Sequence, residues 1–207
     1  MQPAASQGAE RGTKKRMVGF AHLRADITVL EVIMIKENSK LLFIGDSITQ
    51  CYRQVEDPED LGIGYVPKIA MYLNAFYPHL NAKVINRGIG GDTAKLLRAR
   101  WREDCLLIQP DYVTILVGIN DACSPIFGKA PVPVEEFEAD YRYLLDSVKA
   151  NTKASIVLME PFVLHYPADR AAWREDLNPK IDVVRKLAVE YQTRFIPLDG
   201  LYAAASA

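Results

Sequence analysis

Residues 41–49 read LLFIGDSIT: five residues dominated by large apolar side chains, followed at once by small and polar ones. A short, continuous apolar run predicts a strand that is buried on both faces of a sheet. The change to Gly45-Asp46-Ser47 predicts that the strand ends in a tight turn. Because Gln50 follows Ser47 by three residues, a helix start is expected there as well.

The same pattern recurs along the chain. Four more apolar runs predict strands at residues 83–87 (KVINR), 112–118 (YVTILVG), 155–160 (SIVLME) and 194–198 (RFIPL). Helical periodicity connects them, and it predicts helices over 66–76, 92–105, 134–150 and 176–191. Strands that alternate with helices form βαβ units and a parallel sheet with helices on both sides. We therefore expect a three-layer α/β/α sandwich.

The 207 residues fit one domain, which we place at residues 34–207. Residues 1–33 are interpreted as a tail, tag or upstream extension, with a short strand at 27–35 as the alternative. The formal net charge of −1 gives no electrostatic signature of nucleic-acid binding. No apolar run approaches the roughly 20 residues of a membrane span, and no sequence cluster suggests a metal site or cofactor.

Three cysteines at wide spacing, Cys51, Cys105 and Cys123, fit neither a disulfide framework nor a zinc site. Reduced thiols in a cytoplasmic protein are the expectation. The sequence leaves homo-oligomerisation open.

Polar and small residues follow each of the first three predicted strands. They are Asp46-Ser47, then Gly88 to Thr93 (GIGGDT), then Gly118 to Asp121 (GIND). Ligands bind open parallel sheets at the carboxyl ends of the strands. There, Ser47 could attack an acyl group, while the N–H groups of Ser47 and Gly91 and the side-chain amide of Asn120 could stabilise the oxyanion.

Each motif also has a structural interpretation. Ser47 and Gln50 match a capping box, and Gly90-Gly91 could be a turn before a helix capped by Asp92 or Thr93. Asn120-Asp121 could be a turn pair. A dinucleotide fingerprint is disfavoured, because Thr93 stands where its last glycine belongs. The ordered recurrence at three strand ends favours the catalytic interpretation.

The combination of GDSIT (45–49), NRGIGGDT (86–93) and GIND (118–121) resembles the first three signature blocks of the SGNH or GDSL hydrolase superfamily. Further stretches, such as RARWREDCL (98–106), resemble its bacterial acetylxylan and acetyl-oligosaccharide esterases. The resemblance implies a flavodoxin-like sheet of strand order 2-1-3-4-5. It implies Ser47 as nucleophile, Ser47, Gly91 and Asn120 as oxyanion donors, and no cofactor. Asp46 is expected to be structural.

One family block is missing from the sequence. The superfamily carries Asp-x-x-His after the fifth strand, and no such motif follows Arg194. The family's last helix is absent too, so we expect a C-terminally incomplete domain whose catalytic Asp and His are unknown. Of the three histidines, His22 falls in the tail, His79 is expected on a surface loop, and His165 follows the fourth strand. His165 is a candidate for pocket lining and, less readily, for the base.

The expected function is hydrolysis of short acyl esters, most simply acetyl groups on sugars or oligosaccharides, through an acyl-enzyme on Ser47. The alternatives are a broad short-chain or lysophospholipase-like esterase and an impaired chain that only binds esters. Trp101 is expected in the core. Trp173 is expected in helix packing, with a sugar-binding rim as its alternative.

Overall fold

The structure is a computed structural model that describes residues 35–122, 130–164, 166 and 168–206. Five strands form one parallel sheet in the order β2-β1-β3-β4-β5. Their bounds are β1 Lys40–Gly45, β2 Lys83–Gly88, β3 Tyr112–Leu116, β4 Ser155–Met159 and β5 Arg194–Ile196. All five strands that the apolar runs predict are present, and the predicted strand order is confirmed. The tail and the strand at 27–35 lie outside the described residues, apart from Ile35.

Seven α-helices are found in the described part of the chain. They are α1 Ser47–Gln50, α2 Tyr65–Phe76, α3 Ala94–Ala99, α4 Ile119–Ala122, α5 Val134–Asn151, α6 Arg174–Glu190 and α7 Leu198–Ala205. The sequence pattern assigned no element after the fifth strand, where α7 now lies. The helix predicted over 92–105 is shorter than expected: α3 ends at Ala99, and a π-helical turn follows over Arg102–Leu106.

The sheet is packed on both faces, as near-continuous apolar strands require. Leu42 and Ile44 of β1 contribute to the larger core, which α3, α5 and α6 cover. Leu41 and Phe43 point the other way and pack with Val66 of α2. Alternate residues of one strand therefore belong to two cores. This arrangement fixes the register of β1 and the position of the turn that follows it.

Trp101 lies in the larger core, with none of its side chain exposed, so its prediction as a core residue is confirmed. Trp173 is partly buried against a small cluster formed by Ala122, Val163, Leu177 and Ile181. The guanidinium of Arg170 lies 5.4 Å from the centre of its ring. The Trp173 indole therefore takes part in packing, which agrees with the prediction that it is a helix-packing residue.

Candidate active site

The turn after β1 presents Ser47 to solvent as the first residue of α1. Asp46, not Ser47, is the N-cap: its Oδ1 accepts a hydrogen bond of 2.9 Å from the N–H of Ile48. The capping-box interpretation of Ser47 is therefore wrong. Because the neighbouring aspartate satisfies the helix start, the Ser47 hydroxyl is not needed as a cap, and Asp46 has the structural role expected of it.

Glycine is required just before this turn by close packing. A Cβ on Gly45 would lie 2.0 Å from the carbonyl oxygen of Leu116 at the end of β3. The ends of β1 and β3 therefore approach each other more closely than any side chain would allow. This contact places the turn that carries Ser47 directly beside the end of β3, from which Asn120 follows.

The loop after β2 packs along α1. The N–H of Gly90 donates to the Gln50 side-chain oxygen at 2.6 Å, so Gln50 holds the loop and does not close a capping box. A Cβ on Gly90 would lie 3.8 Å from the Cβ of Ser47, which shows how close the loop comes to the serine. Gly91 follows with φ +82° and is exposed. Thr93 accepts a hydrogen bond from Leu96 N and is the N-cap of α3, as one interpretation expected.

The third block connects to the same loop through two side chains. Asn120 Nδ2 donates to the carbonyl oxygen of Asp92, at 2.9 Å. Both carboxylate oxygens of Asp121 lie 3.2 Å from the N–H of Ala94, the first residue of α3. These residues lie in α4 and bind across to another element, so their interpretation as a simple turn pair is wrong. The Asn120 amide is held one residue away from Gly91.

The structure thus brings Ser47, Gly91 and Asn120 to one edge of the sheet, at the ends of three adjacent strands. An amide has two N–H groups. One N–H of the Asn120 amide donates to the Asp92 carbonyl oxygen, which fixes the amide at this edge. Two backbone N–H groups and one amide can in this way stabilise an oxygen that gains negative charge.

Buried carboxyl groups lie beneath this edge. Burial raises the pKa of Asp46 to about 7, against the lowering effect of its hydrogen bond from Ile48 N. Burial likewise raises the pKa of Asp121 to about 7, against the hydrogen bond from Ala94 N. Burial raises the pKa of Asp92 as well, opposed by the charge of Arg100. These side chains hold backbone N–H groups or a cation.

The histidine that the described residues contain is remote from Ser47. His79 lies in a 3₁₀ turn, Pro78–Leu80, that precedes β2 and therefore sits at the amino edge of the sheet. This position agrees with its expected place in a surface loop. His165 lies outside the described residues, so its proposed pocket role stays a prediction.

Two arginines behind the loops were not singled out by the sequence. Arg53 is 4% exposed and donates to the carbonyl oxygen of Gly88, at 3.0 Å. Arg100 donates to the carbonyl oxygen of Gly45, at 3.2 Å. Gly45 and Gly88 are register partners at the ends of β1 and β2. Spacing alone carries no signal for such contacts.

Within the described ranges, no group of three or more His, Cys, Asp or Glu side chains is arranged so that it could hold a metal ion. Among the described residues, Cys51 and Cys105 are free thiols. Among the helices of the described residues, none has the length and apolar character to cross a membrane.

The fold and the three convergent strand ends are those of an α/β ester hydrolase. The GDSL-like Lipase/Acylhydrolase family matches residues 43–207, and the chain belongs to this family. It is 37% identical over 176 residues to an acetylxylan esterase of Geobacillus stearothermophilus, with 81% of this chain and 80% of the relative covered. An isoamyl acetate-hydrolyzing esterase of Saccharomyces cerevisiae is 26% identical, with 79% of this chain and 71% of the relative covered.

Solved structures agree with this assignment. The Axe2 acetylxylan esterase of G. stearothermophilus superposes with a TM-score of 0.74 at 35% identity, covering 83% of this chain and 81% of that one. A putative GDSL-like lipase from Parabacteroides merdae gives a TM-score of 0.77 at 36% identity, covering 82% of both chains. Catalytic mutants of Axe2 have also been solved in which a serine, an aspartate or a histidine is replaced by alanine.

Proposed function

We propose that this carboxylic ester hydrolase removes acetyl groups from sugars or oligosaccharides through an acyl-enzyme on Ser47. The observation that carries the proposal is the exposed Ser47 at the start of α1, beside Gly90 and Gly91 and across from Asn120. A serine at a helix start has the positive end of the helix dipole beneath it. The same edge supplies donors that need no rearrangement during the reaction.

In the proposed reaction, Ser47 Oγ attacks the carbonyl carbon of the ester. The carbonyl oxygen becomes an oxyanion and accepts hydrogen bonds from Ser47 N, Gly91 N and Asn120 Nδ2. The C–O bond to the sugar then breaks, and the sugar oxygen takes up the proton that leaves Ser47. Water then attacks the acyl-enzyme carbonyl, the bond to Ser47 Oγ breaks, one proton of the water restores the Ser47 hydroxyl, and acetic acid leaves.

The test of the mechanism is Ser47→Ala, with Ser155→Ala as its matched control. Ser155 is also exposed, but it begins β4 and therefore lies at the amino edge of the sheet. Ser47→Ala should lose both hydrolysis of a nitrophenyl acetate and labelling by a fluorophosphonate, while Ser155→Ala keeps both. Labelling that persists in folded Ser47→Ala would rule out this nucleophile. If the wild-type chain is labelled by the fluorophosphonate but does not hydrolyse the ester, the result would support the alternative that this chain only binds esters.

The sugar substrate is supported by the acetylxylan esterase relative, and a broad short-chain esterase is supported by the isoamyl acetate-hydrolyzing relative. Comparing kcat/KM for acetylated xylo-oligosaccharides with kcat/KM for isoamyl acetate separates them. A sugar deacetylase should prefer the oligosaccharide by at least about tenfold, which corresponds to ~1.4 kcal/mol of transition-state binding. Equal values would support the broad esterase.

A further inference from the structure

Arg100 lies behind the candidate oxyanion site, where it follows α3 as its C-cap. Its side chain is 16% exposed and contacts three acceptors. Nε donates to Asp92 Oδ2 at 2.7 Å, and a terminal nitrogen donates to Asp104 Oδ2 at the same distance. The other terminal nitrogen donates to the carbonyl oxygen of Gly45, at 3.2 Å. The guanidinium is thus held in one orientation.

Two of these acceptors, Gly45 and Asp92, adjoin the two loops of the site. Gly45 immediately precedes the Asp46-Ser47 turn, and its carbonyl oxygen also accepts the N–H of Ile89, at 3.0 Å. Asp92 immediately follows Gly91, and its own carbonyl oxygen binds the Asn120 amide. One side chain therefore connects the nucleophile turn, the glycine loop and, through Asp92, the third donor.

Charge explains why an arginine is needed here. The Asp92 side chain is only 8% exposed, and burial raises its pKa while the charge of Arg100 lowers it. Without Arg100, a buried carboxylate would have no cation beside it. It would take up a proton or turn toward water, and either change would move the loop. A lysine keeps the charge, but its single nitrogen does not reproduce the planar fork of a guanidinium.

We propose that Arg100 is a positioning residue that fixes Gly91 and Asn120 relative to Ser47. It acts through Asp92 and Gly45 and does not touch the ester. The inference rests on the proposed function, because it assigns catalytic value to the position of those donors. Its consequence is that Arg100 affects kcat far more than substrate binding.

The variants are Arg100→Ala and Arg100→Lys, with Arg98→Ala as the matched control. Arg98 lies on the same helix, and its NH1 donates to Asp140 at 2.9 Å. Arg98→Ala should keep wild-type kinetics. For Arg100→Ala, kcat per fluorophosphonate-titrated serine should fall by about 10–100-fold, as expected for a displacement near 1 Å, with KM changed by less than about threefold. Arg100→Lys should recover part of this loss.

Titrating the serine corrects for misfolded protein, so a purely structural role would leave the rate per active serine unchanged. That outcome, or a loss confined to KM, would overturn the proposal. Hydrogen exchange of the N–H groups in residues 88–93 provides a test that does not depend on turnover. Exchange should be faster in Arg100→Lys and Arg100→Ala and unchanged in Arg98→Ala.

Unchanged exchange in a folded Arg100 variant would also overturn the inference. Absence of both hydrolysis and labelling in the wild-type chain would refute the proposed function instead. In that case, the exchange comparison still decides whether Arg100 orders the loop.

Discussion

Gly91→Ala separates the conformational requirement of the site from its packing. A Cβ on Gly91 would meet no heavy atom within 4 Å, so an alanine fits in the available space. Its backbone, however, has φ +82°, which an L-residue adopts only at a cost of about 1–2 kcal/mol. This cost is small against the roughly 5–15 kcal/mol that stabilises a domain, so the variant should fold. Its melting temperature should fall by only about 2–8 °C.

The catalytic effect should be much larger. Alanine relieves its strain when φ turns negative, and this rotation moves the Gly91 N–H away from Ser47. The loss of one oxyanion donor typically costs about 10²–10³ in kcat. We therefore expect kcat of Gly91→Ala to fall by about 10²-fold, with KM nearly unchanged. The assay is hydrolysis of nitrophenyl acetate, together with urea unfolding of the same preparation.

Gly45→Ala is the matched control at the same edge of the sheet. Its Cβ would lie 2.0 Å from the Leu116 carbonyl oxygen and 3.0 Å from Thr49 Oγ1. The backbone must move to relieve these contacts, so overpacking should cost about 1–3 kcal/mol or more. If Gly91→Ala retains wild-type kcat, its N–H is not an oxyanion donor. If Gly45→Ala is as stable as wild type, the result would contradict the close approach of β1 and β3 at Gly45.

Three further outcomes are expected. Asn120→Ala should lower kcat by about 10²–10³ with little change in KM; steady-state kinetics close to wild type would show that its amide is not an oxyanion donor. Burial raises the pKa of Asp46 from its ordinary 3.8 to about 7 in the folded protein, so folding favours the protonated carboxyl. The free energy of unfolding that this carboxyl contributes therefore decreases as pH rises between those two values. Urea unfolding from about pH 5 to about pH 8 should therefore show a steeper loss of stability in wild type than in Asp46→Asn, and equal slopes would contradict this. Trp101→Ala removes a fully buried side chain and should cost about 3–5 kcal/mol in urea unfolding, so a loss below ~1 kcal/mol would contradict its place in the core.

The sequence predicts the sheet well because the three central strands are buried on both faces and read as apolar runs. It predicts the buried face of the segment after Gly91 equally well: Ala94, Leu97, Trp101 and Cys105 are all buried. The predicted α-helix was wrong for part of this segment. Leu107 N bonds to the carbonyl oxygen of Arg102, which is a π turn. Three- and four-residue spacing of apolar side chains does not register that change, because the inward face is preserved.

The positions of the candidate donors could be predicted because these residues follow adjacent strand ends in chain order. The side chains that hold these loops in place could not be predicted in this way. Arg53 and Arg100 are charged residues, and in sequence they resemble the solvated side of any helix or loop. Their acceptors are backbone carbonyls of Gly45 and Gly88, which become available only when β1 and β2 end side by side. Contacts from side chain to distant backbone have no pattern of spacing.

Three carboxyl groups, those of Asp46, Asp92 and Asp121, lie beneath a site that must stabilise an anion, and full negative charge there would oppose the proposed reaction. Two features of the structure reduce that charge. Burial raises the pKa of Asp46 and Asp121 to about 7, so each is partly protonated at neutral pH, and Arg100 pairs with Asp92. The carboxyl groups of Asp46 and Asp121 therefore hold backbone N–H groups from behind, while the proposed reaction assigns the N–H groups of Ser47 and Gly91 to the ester. As pH rises above about 7, the two aspartates ionise, and the electrostatic field at the proposed oxyanion becomes less favourable.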